Sequence, residues 1–305
     1  MKKMNITMLC IKLTIGLSLT CSTLFAADSL EQKTPIDVIL VAGQSNAVGV
    51  NAKPGQMGTS DADKSILFWW RCGDPEPDDH DSTSDGQWQT LQAQPRGNPI
   101  PPPAPRAYGN FGQPEGGFGP EIGLARAVFS KEKQPLAVIK VAFSGTNLAT
   151  DWRPTAPDAS GGTGACYRSL ITETQAALAA LDARGFTPRL RAIAWIQGES
   201  DATVREAPKY EANLTALIAD LRKNLAAPDM AALLCLNVKF KANGYPMIPD
   251  IIAAQQAVAS KVSRTAYVDT TAATTANAAH FDSAGNLSVG KWLAQALWEL
   301  EEKNK

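Results

Sequence analysis

The sequence predicts an α/β protein: one parallel sheet of about five strands, sandwiched between helices on both faces. Two observations carry this. Five short stretches (36–42, 135–143, 189–197, 231–239 and 265–269) are dominated by apolar residues, which is how strands buried on both faces read, because neither face needs polar side chains. Amphipathic helical stretches alternate with them, and strand–helix alternation builds parallel sheets. With 305 residues, 44% hydrophobic and 19% charged, the chain has the composition of a globular enzyme and the length for a sizeable core.

The first 26 residues stand apart. Lys2 and Lys3 precede an apolar run, interrupted by Lys12, that ends in small residues at Ala26-Ala27. A basic start, an apolar stretch too short to span a bilayer and a small-residue cleavage site make a secretory signal peptide. Residues 27–305 are then expected to form a single exported domain, periplasmic or extracellular. Removing residues 1–26 removes three lysines and no acids, leaving 26 basic against 30 acidic side chains, a formal charge of −4. That balance gives no electrostatic case for a nucleic-acid partner or an anionic membrane surface, and no later run is apolar for long enough to insert in a membrane.

Val38-Ile39-Leu40-Val41 reads as the first buried strand, and it runs directly into Gly43-Gln44-Ser45-Asn46. Open α/β sheets hold their ligands at such strand ends, although the same polar tip would also serve as a helix cap. Residues 71–118 break the pattern. This Pro/Gly-rich stretch carries an acidic run, shows no periodicity, and is expected to pass over the edge or top of the sheet. Its carboxylates lack the spacing of a calcium loop. Gly119-Pro120-Glu121 opens a helix, with Pro120 in the first turn where a missing N–H costs nothing. Between 165 and 183, Tyr167, Leu170, Ile171, Leu178 and Leu181 fall near one helical face and Gly185 supplies the stop. Helices are also expected over 206–224 and 283–303. Cys235 lies in an apolar strand and reads as a buried thiol. Cys72 and Cys166 stand in loop-like surroundings where an oxidising compartment would allow a disulfide. No Cys/His spacing suits a metal, and no cofactor is expected.

A serine nucleophile needs a base, and the chain has only two histidines, His80 in the acidic stretch and His280 just before the final helix. In a parallel sheet the loops after the first and last strands open on one edge, so Ser45 and His280 are able to meet. The buried strand 189–197 ends in Gln197-Gly198-Glu199-Ser200-Asp201. Glu199 is placed to accept the His280 Nδ1–H bond and fix its tautomer, and Gln197 to offer a neutral N–H to an oxyanion; Asp201 is a candidate helix cap. Strand 135–143 ends in Ser144-Gly145-Thr146-Asn147, where Gly145 lets a backbone N–H approach an oxyanion closely. The N–H of Ser45 is a further donor.

These blocks, in this order, resemble those of the SGNH hydrolase superfamily, and more narrowly its carbohydrate esterase branch containing acetylxylan esterases and sialate O-acetylesterases. The resemblance covers about 36–300, and Gly119-Pro120-Glu121 matches it too. It implies a flavodoxin-like three-layer α/β/α sandwich and metal-independent deacetylation of sugars, with Ser45 as nucleophile, His280 as base, and Ser45, Gly145 and Gln197 as the oxyanion hole. The chain departs from the pattern at Asn277, three residues before His280, where most superfamily members carry Asp. An amide cannot stabilise imidazolium by charge, so Glu199 becomes the expected acid. Ala47 two residues after Ser45 excludes the elbow of ordinary α/β-hydrolases.

Gln44 and Asn46 are expected to brace the loop or to contact substrate, and Asn147 and Trp152 are expected substrate contacts; Trp69, Trp70 and Trp88 offer further aromatic faces for sugar rings, with core packing the alternative for each tryptophan. The expected substrate is an acetylated oligo- or polysaccharide, xylan first, handled by a monomer. A sialate would want a cation, for which Arg71, Arg106 and Arg153 are candidates. A non-catalytic glycan-binding module and a lipase or thioesterase on the same scaffold are the competing readings.

Overall fold

A computed structural model describes residues 33–72, 80–99, 111–154 and 162–303; the expected signal peptide therefore lies outside the described residues. The strands are β1 (Thr34–Gly43), β2 (Ile66–Cys72), β3 (His80–Thr83), β4 (Gln89–Thr90), β5 (Asn98–Pro99), β6 (Leu136–Ala142), β7 (Phe186–Ile196), β8 (Ala231–Cys235) and β9 (Thr265–Tyr267). The helices are α1 (Ser45–Val48), α2 (Glu121–Glu132), α3 (Ala165–Ala183), α4 (Tyr210–Asn224), α5 (Ile248–Lys261) and α6 (Ser283–Lys303).

The sheet has nine strands, not five, in the order β5-β3-β2-β6-β1-β7-β8-β9, with β4 also on β2. Six of them, β2-β6-β1-β7-β8-β9, run parallel. β3, β4 and β5 lie in the stretch 71–118, and β2 lies mostly ahead of it. β2 grows from Ile66-Leu67-Phe68-Trp69-Trp70 and pairs in parallel with β6, while β3 and β4 return antiparallel along its other side. Without β2, the parallel strands follow the flavodoxin order, and β1 lies where the chain switches from building one side to building the other, the point at which such sheets open a ligand crevice.

Alternate residues of β1 serve the two helical layers, as strand geometry requires. Val38, Leu40 and Ala42 pack with α3, α4 and α5 through Leu170, Leu217 and Ile251. Ile39 and Val41 pack with α2 and α6 through Ile122, Val289 and Leu293. At the end of the sheet where β1 and β7 begin, charges are closed off in pairs: the Arg191 guanidinium bonds Asp37, Glu132 and Glu301 at 3.2, 2.6 and 2.7 Å. The opposite end is where the polar tips of β1, β6, β7 and β8 gather.

Candidate active site

β1 ends at Gly43, where φ is +140° and a Cβ would lie 2.1 Å from the Ile196 carbonyl oxygen. Only glycine lets the ends of β1 and β7 close this tightly. The chain then makes the single turn α1, with Ser45 as its first residue, so the Ser45 N–H has no acceptor within the helix. Gln44 Oε1 accepts the N–H groups of Gly198 and Ser200 at 3.4 and 3.2 Å. This bond fastens the serine turn to the loop after β7.

Asn46 is the hub that brings the distant segments together. Its Nδ2 donates to Glu199 Oε1 at 2.8 Å and to the Ala279 carbonyl at 3.0 Å, and its Oδ1 accepts the Phe281 N–H at 2.9 Å. Asn237, just past β8, repeats the connection: its N–H donates to Glu199 Oε1 at 2.9 Å and its Nδ2 to the Ala279 carbonyl at 3.0 Å. The segments that carry Ser45, Glu199 and His280 are therefore tied together by hydrogen bonds although they are far apart in sequence. Within them, two buried atoms have no hydrogen-bond partner among the described residues: Glu199 Oε2 and His280 Nδ1. Burial pushes the Glu199 carboxyl above its ordinary range, against the pull of the bonds from Asn237 and Asn46, and burial pushes His280 below its ordinary value. Both shifts follow from the cost of a charge in a poorly solvated place.

A second unit holds the loop after β6. Asp201 accepts the N–H groups of Leu148 and Ala149 at 2.8 and 3.3 Å, and Gln197 Nε2 donates to Asp201 Oδ2 at 2.5 Å and to the Thr146 carbonyl at 3.3 Å. Burial raises the Asp201 carboxyl to about 6, partly offset by these donors. Gly145 turns this loop at φ +69°.

The family model for carbohydrate esterases, the sialic acid-specific acetylesterases, matches residues 35–299. The chain belongs to this family. Among solved structures it resembles a protein of Arabidopsis thaliana (TM-score 0.61, 19% identity, covering 87% of this chain and 98% of that one) and NanS (0.59, 15%, 89% and 99%). It also resembles XAC1771, a carbohydrate acetylesterase from Xanthomonas citri (0.57, 17%, 88% and 56%). These likenesses bear on the fold. Among curated proteins none matches by sequence.

The esterase uses several expected site residues differently. Gln197 is fully buried with both amide protons engaged as described, and its Oε1 accepts from the Tyr210 hydroxyl. No proton is left for an oxyanion, so its role is to brace the loops. Asn46 is buried with both amide protons and its oxygen engaged, and Gln44 is buried with its Oε1 accepting the Gly198 and Ser200 N–H groups, so both brace the site. Trp152 is wholly buried between Phe143 and Trp195, its Nε1 on Thr146 Oγ1, so it forms no wall for a sugar. Asn147 keeps its side-chain oxygen on the Thr150 N–H and hydroxyl. Trp69 and Trp70 are core residues of β2, and the Trp88 indole donates to the Ala177 carbonyl.

Asn277 is exposed, and its Oδ1 accepts the N–H groups of Ala279 and His280 at 2.8 and 2.9 Å, so it shapes the histidine loop from the backbone side. Cys72 and Cys166 are buried in clusters on opposite faces of the sheet and form no disulfide with each other. Arg71 is ion-paired to Glu173 and Asp81, and Arg106 and most of the acidic run lie outside the described residues. His80 begins β3, toward the sheet edge far from β1. Among the described residues no cluster of His, Cys, Asp or Glu suits a metal, and no helix is long and apolar enough to cross a membrane. The residue that sequence reasoning missed is Asn237; its signal was a polar side chain ending an otherwise apolar strand.

Proposed function

We propose that this esterase hydrolyses acetyl esters on glycan hydroxyls, acetylated xylan first, through an acyl-enzyme formed on Ser45. The observation that carries the mechanism is the pair of orphaned buried atoms, Glu199 Oε2 and His280 Nδ1, in segments that Asn46 and Asn237 tie together. On this mechanism the acceptor and the donor, each lacking a partner, pair with one another during turnover, and that bond would fix the tautomer in which Nε2 is basic.

His280 Nε2 takes the Ser45 proton as Oγ attacks the acetyl carbonyl carbon. The N–H groups of Ser45 and Gly145 receive the developing oxyanion. The bond to the sugar oxygen breaks as His280 returns the proton to it. A water, deprotonated by His280, then releases acetate and restores Ser45. Glu199 stabilises the imidazolium in both halves.

Arg71 is already neutralised by Glu173 and Asp81, which favours a neutral sugar; the family description favours a sialate as the second reading. The test is acetate release by the exported domain from acetylated xylo-oligosaccharides and from O-acetylated sialosides, with Ser45→Ala beside it. Release from the xylan fragments that vanishes in Ser45→Ala is expected, and release from the sialosides alone would replace the substrate. Nitrophenyl esters of increasing chain length should be cleaved ever more slowly, and the opposite trend would make the protein a lipase. An absence of any release would leave a glycan-binding module.

A further inference from the structure

One motif remains outside this mechanism: Gly119-Pro120-Glu121, with Lys140, the only fully buried lysine among the described residues. Lys140 stands in the middle of β6, paired in register with Val41 of β1. Its side chain and that of Glu121 are both wholly excluded from solvent. The ammonium group donates to Glu121 Oε1 at 2.9 Å, to Gln94 Oε1 at 2.6 Å and to the carbonyl of Val48 at 2.8 Å. Glu121 Oε1 also accepts the Gly119 N–H at 2.8 Å and Gln94 Nε2 at 3.1 Å.

The third Lys140 bond is the informative one, because Val48 is the last residue of the turn that Ser45 begins. A four-residue helix has no stability of its own, and its last carbonyls lack partners within it. Here one of them meets a cation, the sign that the C-terminal end of a helix favours. The neighbouring carbonyl, that of Ala47, abuts Gly119 so closely that a Cβ there would lie 2.3 Å from its oxygen. Asn46 and Gln44 hold the turn from the β7 side, and the lysine holds it from the β6 side.

We propose that Lys140, its charge balanced by Glu121 and its ammonium also bonded to Gln94, is a positioning residue for the nucleophile: it sets the height and tilt of α1 and so the place of the Ser45 hydroxyl. The inference rests on Ser45 being the nucleophile. A displacement of about 1 Å is enough to cost on the order of a hundred-fold in rate.

The test is the double variant Lys140→Met/Glu121→Gln, which removes both buried charges and keeps an acceptor for Gly119. Three quantities are read: the thermal midpoint, kcat and KM for the acetylated oligosaccharide, and the rate at which a serine-directed fluorophosphonate labels Ser45. The expected result is a folded protein with kcat down about ten- to a hundred-fold, KM within about threefold, and labelling slowed in parallel. A folded variant with wild-type kcat and labelling per folded molecule would overturn the proposal and leave the pair a purely structural one. Should the double variant not fold, Gln94→Met, which removes one neutral acceptor of Lys140 and one donor to Glu121, carries the test. A few-fold loss of kcat at constant KM supports the proposal and an unchanged kcat overturns it. Wild-type protein that fluorophosphonate does not label would instead refute Ser45 as nucleophile, a different failure that removes this inference with it.

Discussion

Glu121 and Glu199 are two fully buried carboxylates on either side of the same short helix, and they are held in opposite ways. Glu121 has a cation at 2.9 Å, and its Oε1 takes three donors. Glu199 meets no cation among the described residues; its Oε1 takes two amide donors, and burial raises its pKa. The Oε2 atom of each carboxylate is buried without a donor. A paired buried charge is a brace, because removing either partner strands the other. An unpaired buried carboxylate is a standing cost, tolerated where a positive charge is to appear during turnover. On the proposed mechanism, the imidazolium of His280 is that charge. The two sides of α1 thus separate stability from reactivity.

The separation is broken most directly at Glu199. Glu199→Gln is expected to lower kcat by about ten-thousand-fold, the scale on which a triad loses its acid, while the thermal midpoint stays level or rises, because a neutral amide needs no desolvated charge. Measured side by side, Glu121→Gln should show the reverse emphasis. It strands Lys140 and costs about 3–5 kcal/mol in denaturant unfolding, with a smaller loss of kcat. If both variants lost stability equally and activity equally, the distinction would fail.

A pH profile sharpens the same contrast. Burial lowers His280, so the acid limb of kcat/KM, which reports the free enzyme's base, should have its midpoint below the ordinary histidine value of about 6.5. An acid limb above that value would mean an ionised partner already sits against the imidazole in the free enzyme. Asp201 adds a stability signature. Its carboxyl titrates at about 6 in the folded protein and near 3.9 in an unfolded chain. The folded state therefore binds more protons between those values, and stability falls as pH rises through that window, by roughly 3 kcal/mol for this group. Asp201→Asn should flatten the slope in thermal melts between pH 4 and 6. The smallest effect belongs to Asn277→Ala, which removes a cap worth about 1 kcal/mol from the histidine loop and should cost only a few-fold in kcat. A thousand-fold loss there would return the triad acid to the position before His280.

The sheet's centre was legible because strands buried on both faces leave unbroken apolar runs. Its edge was not. Residue type leaves Trp69 and Trp70 open between sugar stacking and core packing, and they form the core of β2; β3, β4 and β5 are too short to carry any periodicity. α5, which holds Pro249 in its first turn, went unassigned. At the site, the polar residues stood out because they end apolar strands. What sequence could not separate was bracing from reacting: Asn46 and Gln197 have the same residue types as groups that bind substrate, and only their bonding to loops remote in sequence shows their amide groups spent.

The account turns on a bond between His280 and Glu199 during catalysis, and proton NMR of the fluorophosphonate-inhibited enzyme addresses that bond itself. The adduct on Ser45 mimics the tetrahedral intermediate and favours imidazolium. With only two histidines in the chain, His80→Gln makes the assignment unambiguous. The account predicts a strongly downfield Nδ1–H resonance from His280 that is lost in Glu199→Gln. The same resonance persisting unchanged in Glu199→Gln would contradict it and show that another group orients the histidine.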